Sequence, residues 1–171
     1  MYPLLFELGP VSIYSYGVLL ATAYIVGLQF ALRRADRAGL NGQRVMDLGI
    51  FVIISALVGA KLMLFLLDID RFTSDPAQFM VLLKSGGVFY GGLLLGVPVA
   101  WWYIRRHGLP LWTTCDLFAP GIALGHGIGR MGCLLAGCCY GSPTDVPWAI
   151  TFTSTLAAAN VGTPLEIALH P

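Results

Sequence analysis

Charge is scarce in this sequence. Asp, Glu, Lys and Arg together make up 11% of its 171 residues, against about a quarter in an ordinary soluble domain. Apolar residues make up 57%, more than a soluble core of this size can hide without leaving large patches exposed. The few charges nearly cancel, to +1, which excludes the concentrated basic face that nucleic-acid binding needs. Basic residues are missing from the start of the chain until Arg33, so the usual positive n-region of a removable signal peptide is not there. Cysteine is sparse as well: Cys115, then Cys133, Cys138 and Cys139, whose spacing matches no standard zinc motif. What remains is one membrane domain over residues 1–171.

Four apolar runs organise that domain. Residues 1–12 carry Pro3 and Pro10 and read as a loop or interfacial segment. Residues 13–32 are about one membrane thickness of helix at roughly 1.5 Å per residue. Arg33, Arg34, Arg37 and Arg44 crowd the linker that follows, and 45–67 is a second span holding Asp47 and Lys61. A polar loop over 68–85 has a turn signal at Asp75-Pro76, and 76–84 suits a short surface helix. Residues 86–104 form a third span, with Gly87/Gly91 and Gly92/Gly96 as small-xxx-small pairs and Pro98 as a kink site. Residues 113–135 form a fourth. The tail over 142–171 is extramembranous and irregular, apart from a weak strand signal over 148–153. The fold class is therefore all-α integral membrane with at least four transmembrane helices.

Orientation follows from the arginines. Six flank the linkers after spans one and three, while the 68–85 loop holds two basic and three acidic residues. The N-terminus is expected outside, with the linkers at 33–44 and 105–112 in the cytoplasm. Lys61 and Arg130 then lie about sixteen residues, roughly 24 Å, from the cytoplasmic starts of their spans, and Tyr16 and Tyr90 lie just inside the outer ends of theirs. All four fall in one layer near the outer headgroups, where two cations, two phenols and several glycines suit an anionic lipid head.

The segment 120–141 carries the strongest signal. Gly121, Gly125 and Gly129 recur every fourth residue and make a smooth stripe on a helix. His126 and Arg130 sit four apart in that stripe. A guanidinium keeps its charge at any reasonable pH, so Arg130 in a membrane needs an anion and marks a functional site. Plainer readings exist for the others: interfacial tyrosines serve as belt residues, Lys61 snorkels outward, His126 packs neutral and hydrogen-bonded, and the glycines pack helices.

Tyr16-Gly17, Phe89-Tyr90-Gly91-Gly92-Leu93, Gly127-Ile128-Gly129-Arg130-Met131-Gly132, Gly137 to Gly141 and the terminal His170-Pro171 together resemble the prolipoprotein diacylglyceryl transferase family. The resemblance implies an enzyme of the bacterial inner (cytoplasmic) membrane, multi-pass, with its active site toward the periplasm. It implies a reaction that moves the diacylglyceryl unit of phosphatidylglycerol to the lipobox cysteine of a prolipoprotein signal peptide, forming a thioether in lipoprotein biosynthesis. It implies Arg130 as the phosphate-binding arginine and Tyr16 as the first-span tyrosine, with Lys61 where the family usually has arginine. Gly91, Gly92, Gly129, Gly132, Gly141 and His170 match substrate-binding motif positions. No cofactor and no metal are called for.

The resemblance is to a divergent member. The family's His-Gly-Gly histidine is here Tyr90, and a phenol with pKa near 10 is a poor base at neutral pH. The family's asparagine and glutamate after the arginine are here Cys133 and Cys138. His126, at a position normally apolar, can supply a base one turn before Arg130. The family pattern continues past His-Pro into further spans, so a sequence ending at Pro171 is expected to be a truncated form. Two other classes stand beside the transferase. The cysteine cluster suits a membrane thiol-disulfide oxidoreductase, or more simply one structural disulfide pinning the loop after span four. A non-catalytic relative that binds anionic lipid through the same pocket is the third.

Overall fold

The computed structural model describes residues 2–9, 11–74 and 86–170. The expected turn at Asp75-Pro76 and the surface helix over 76–84 lie outside the described residues. Helix dominates, and the described chain divides into two compact units, one built from Met1–Phe30 with Ala119–Pro171 and one from Ala31–Phe118.

The elements run β1 (Leu4–Leu8), β2 (Val11–Tyr14), α1 (Ser15–Ala35), a 3-10 turn (Asp36–Ala38), α2 (Gly42–Leu67), α3 (Ile69–Ser74), α4 (Phe89–Arg106), α5 (Leu111–Ala136), β3 (Ile150–Thr151), α6 (Thr155–Val161) and β4 (Ala168–Leu169). Among the described residues, two helical stretches are long and apolar enough to cross a membrane, Ser15–Ala38 and Gly42–Leu67. Only 6% of the apolar window of the second is buried. It is therefore not the core helix of a soluble domain, and its exposed Ile50, Ile54, Leu57, Val58 and Leu62 need a non-aqueous covering.

Each boundary departs slightly from the apolar run, for local reasons. The helix α2 begins three residues before Val45 because the Asn41 side chain accepts from the Arg44 N–H at 3.2 Å and caps it. Arg33 and Arg34 extend α1 past position 32, since cations in a last turn complement the helix dipole. Residues 86–88 stay non-helical: the Val88 N–H donates to the Ala60 carbonyl at 3.0 Å, and the Lys61 ammonium donates to the Gly86 carbonyl at 3.4 Å. The start of the chain is a correction. It is a β-hairpin with Glu7 opposite Ser12 and Leu8 opposite Val11, not a loop, and it hands over directly to α1 through the Ser15 N–H and the Pro3 carbonyl at 3.0 Å. Gly9 turns the chain at φ +58°. The tail is likewise more ordered than expected, because β3 pairs with β4 and Ser154 caps α6.

In the 31–118 unit, α2 and α4 pack backbone to backbone. Gly59 faces Gly91, Gly87 faces Ala60 and Gly92 faces Ala56, so closely that a Cβ at Gly59 or Gly91 would overlap the opposing backbone. The two small-xxx-small pairs thus set this contact. The core of the unit gathers Ala31, Ala35, Val45, Leu48, Tyr103, Ile104 and Leu117 beside the arginine-rich linkers. Tyr103 stacks on His107 at 3.9 Å, and Arg44 Nη1 donates to the His107 carbonyl at 3.1 Å.

In the other unit, α5 lies on α1. A Cβ at Gly27 would meet the Gly121 carbonyl oxygen at 2.9 Å, and one at Gly125 would meet the Ala23 carbonyl at 3.2 Å. The stripe then changes register: a Cβ at Gly129 would meet open space, whereas one at Gly132 would meet the Tyr16 ring and Leu19. Positions 121, 125 and 132 complete three helical turns, so the packing face passes Gly129 by.

Candidate functional site

The C-terminal end of α5 builds the site. Gly137 follows Ala136 at φ +75°, a conformation only glycine adopts freely. The Cys138 N–H reaches the Cys133 carbonyl at 3.0 Å, and the Gly137 N–H reaches the Leu134 carbonyl at 3.2 Å. These are the 6→1 and 5→2 bonds of a Schellman cap, and they fold Cys138 back over Cys133. Cys139 is also left-handed, at φ +58°, which costs a residue with a Cβ on the order of 1 kcal/mol. The three sulfur atoms of Cys133, Cys138 and Cys139 consequently lie within 4.8 Å of one another. All are free thiols, so the disulfide expected to pin this loop is not formed.

Hydrogen bonds to the tail hold the loop instead. The Thr163 hydroxyl, buried, donates to the Gly137 carbonyl, and the Tyr140 hydroxyl donates to the Gly162 carbonyl at 3.1 Å. The Gly141 N–H donates to the His170 carbonyl at 2.9 Å, and the His170 N–H to the Ser142 carbonyl at 3.0 Å. Tyr140 meets the fully buried Phe152 edge-on at 6.1 Å.

A cavity of about 260 Å³ opens between α5, this loop and Phe152, with Arg130, Cys133, Cys138, Cys139 and Tyr140 on its wall. Arg130 is exposed and makes no ion pair with a carboxylate among the described residues. It is close enough to Cys133 to act on it electrostatically. Burial, and then the neighbouring Cys133, pushes the Cys138 thiol up to about 12. A guanidinium with no carboxylate partner among the described residues, set on a partly apolar cavity wall, is suited to receive a phosphate or carboxylate in a bidentate fork.

The expected site residues divide between the units. Tyr16 joins Arg130 and the cysteines within one unit, with its ring against Gly132 and its phenol in electrostatic reach of Cys133, Cys138 and Cys139. His126 sits one turn before Arg130 and is exposed, with no hydrogen bond among the described residues, rather than packed. Gly141 backs onto His170. In the other unit, Tyr90 is 68% exposed and meets Phe89 edge-on, Lys61 is partly buried beside Gly86, and Gly91 and Gly92 are buried against α2. Tyr140, Thr163 and Phe152 are contributors that pattern reasoning did not single out. Gly137 after an apolar helix is the signal that finds the cap and, with it, the loop.

Comparison with known proteins bears on the whole chain. The sequence model of the family described as prolipoprotein diacylglyceryl transferase matches residues 3–171. A protein of Clostridium tetani named phosphatidylglycerol–prolipoprotein diacylglyceryl transferase is 34% identical over 171 residues, covering all of this chain and 66% of its own length. Proteins of the same name from Synechococcus elongatus, 32% identical over 148 residues, and Vibrio atlanticus, 35% identical over 157, are matched over 86% and 88% of this chain. This chain spans 51% and 56% of those two.

Proposed function

We infer the function from family: the chain belongs to the prolipoprotein diacylglyceryl transferase family, and we propose that it moves the diacylglyceryl group of phosphatidylglycerol to a prolipoprotein's lipobox cysteine. The sulfur attacks the glyceryl carbon, a C–S bond forms as the C–O bond to phosphate breaks, the thiol proton goes to a base, and glycerol phosphate leaves. Arg130 holds the phosphate and stabilises the charge that grows on the departing oxygen. The observation that carries this reading is the exposed Arg130 guanidinium, without a carboxylate partner among the described residues, on the wall of the cavity of about 260 Å³.

In this reading Tyr16 borders the Arg130 site and His126 is its candidate for the thiol proton, while Lys61 and Tyr90 lie in the other unit. Gly129, Gly132 and Gly141, with His170, Cys133 and Cys138, shape the substrate site within the Arg130 unit, while Gly91 and Gly92 pack against α2 in the other. The chain forms one membrane domain with four spans near 13–32, 45–67, 86–104 and 113–135, its N-terminus outside and its tail in the periplasm, in the bacterial inner membrane. The long exposed apolar faces of α1 and α2 support the first two spans, and the arginines of the two linkers support the orientation.

The test is the full chain in phosphatidylglycerol vesicles with a lipobox peptide. The expected product is a peptide heavier by one diacylglyceryl group, its bond resistant to hydroxylamine and to reductant. A peptide left unmodified contradicts the reading. A reducible mixed disulfide with the chain favours the oxidoreductase instead.

A further inference from the structure

The cysteines at the end of α5 carry out no bond-making step in transfer to an external thiol, and their arrangement has a chemistry of its own. Among the described residues, Cys133, Cys138 and Cys139 are the one group of His, Cys, Asp or Glu side chains that converge closely enough to hold a metal ion. Three sulfurs within 4.8 Å of one another can close around a common centre, since metal–sulfur bonds of about 2.3 Å put the sulfurs of a trigonal ion about 4 Å apart.

The surroundings select the ion. No histidine or carboxylate joins the cluster among the described residues, so it offers three soft ligands and nothing harder. Zinc in a structural site takes four ligands in a tetrahedron, whereas all-thiolate donors of low number suit a soft monovalent ion. The ligands are also held in place in advance. The Schellman cap fixes Cys138 above Cys133, and the left-handed Cys139 turns the third sulfur toward them. Two of the three are partly buried and one is exposed, which leaves an entry path from the cavity. Three thiolates around one monovalent ion carry a net charge of −2, and Arg130 stands on the same cavity wall as a counter-charge.

We propose that Cys133, Cys138 and Cys139 form a trigonal thiolate site for a cuprous ion at the end of α5. Binding makes three Cu–S bonds and releases the three thiol protons; copper stays in the +1 state and nothing is oxidised. The site shares the Arg130 cavity with the proposed transfer site, but copper binding does not require transfer to occur.

The experiment is a titration of the full chain, in detergent under anaerobic reducing conditions, with Cu(I) supplied against a chromogenic Cu(I) chelator. One equivalent of copper retained per chain is expected, with an X-ray absorption edge of three-coordinate copper bound only to sulfur. Cys133→Ser, Cys138→Ser and Cys139→Ser are each expected to weaken retention at least tenfold, while Cys115→Ser matches the parent. Size-exclusion profiles of the variants separate loss of the site from loss of the fold. The proposal is overturned by copper lost to the chelator as readily from the parent as from the serine variants, by nitrogen or oxygen neighbours at the edge, or by Zn(II) displacing Cu(I) at equal concentration.

Discussion

The Tyr16 ring lies over Gly132, so that a Cβ at that glycine would sit 3.3 Å from Tyr16 Cδ2 and 3.4 Å from the Leu19 Cβ. This contact ties the first turn of α1 to the segment carrying Arg130 and Cys133. Gly132→Ala is expected to displace the phenol by a few tenths of an ångström, and Gly132→Leu to cost about 1–3 kcal/mol by overpacking. Thermal unfolding in detergent reads both. An unchanged midpoint for the leucine variant contradicts the contact.

Gly129→Ala is expected to behave in the opposite way. Its Cβ would meet open space, and alanine in a helix interior is favoured over glycine by about 1 kcal/mol. The variant should unfold at the same temperature or slightly higher. If it nevertheless transfers lipid poorly, Gly129 leaves room for substrate and not for a helix.

Gly91→Leu is expected to separate α2 from α4, because the Gly59 backbone occupies the space its side chain needs. Loss of the parent's size-exclusion peak, or a fall in unfolding temperature well beyond that of Gly132→Leu, is the predicted result. A stable Gly91→Leu chain contradicts the packing.

The Thr163 hydroxyl is buried and donates to the Gly137 carbonyl. Thr163→Val keeps the shape and removes the donor, leaving a carbonyl unsatisfied at a cost of about 1–3 kcal/mol. The loop that carries Cys138 and Cys139 should loosen first, and faster alkylation of Cys138 in the variant than in the parent reads this.

Thiol reactivity also has a pH signature. With its thiol pushed up to about 12, Cys138 is held almost wholly as the thiol at pH 8, and only the thiolate reacts. Maleimide labelling of Cys138 is expected to rise about tenfold per pH unit from pH 7 to pH 10 and to lag behind the exposed Cys115 throughout. A plateau below pH 9 contradicts the burial.

Much of the helical frame is legible in the sequence because apolar runs of about twenty residues have few alternatives to helix, and the glycine pairs at 87/91 and 92/96 announce the α2–α4 contact. The hairpin is less legible: Gly9-Pro10 between two apolar runs is its signal, but strands this short compete with a loop reading on almost equal terms. The site is legible only in part. Arg130 stands out as a permanent charge in an apolar stripe, whereas the convergence of three cysteines depends on a cap geometry that begins with one glycine, Gly137. Spacing placed Gly129 on the packing face, but the structure gives that role to Gly132, since 3.6 residues per turn carry a four-residue repeat off the stripe within three turns.

In the proposed mechanism Arg130 binds the phosphate of a lipid substrate as a fork, and Arg130→Lys tests this directly because it keeps the charge and removes the planar bidentate geometry. In a transfer assay with phosphatidylglycerol and a lipobox peptide, kcat/KM for the lipid is expected to fall about 10²-fold or more, with KM for the peptide unchanged. Transfer by the lysine variant within twofold of the parent contradicts the claim.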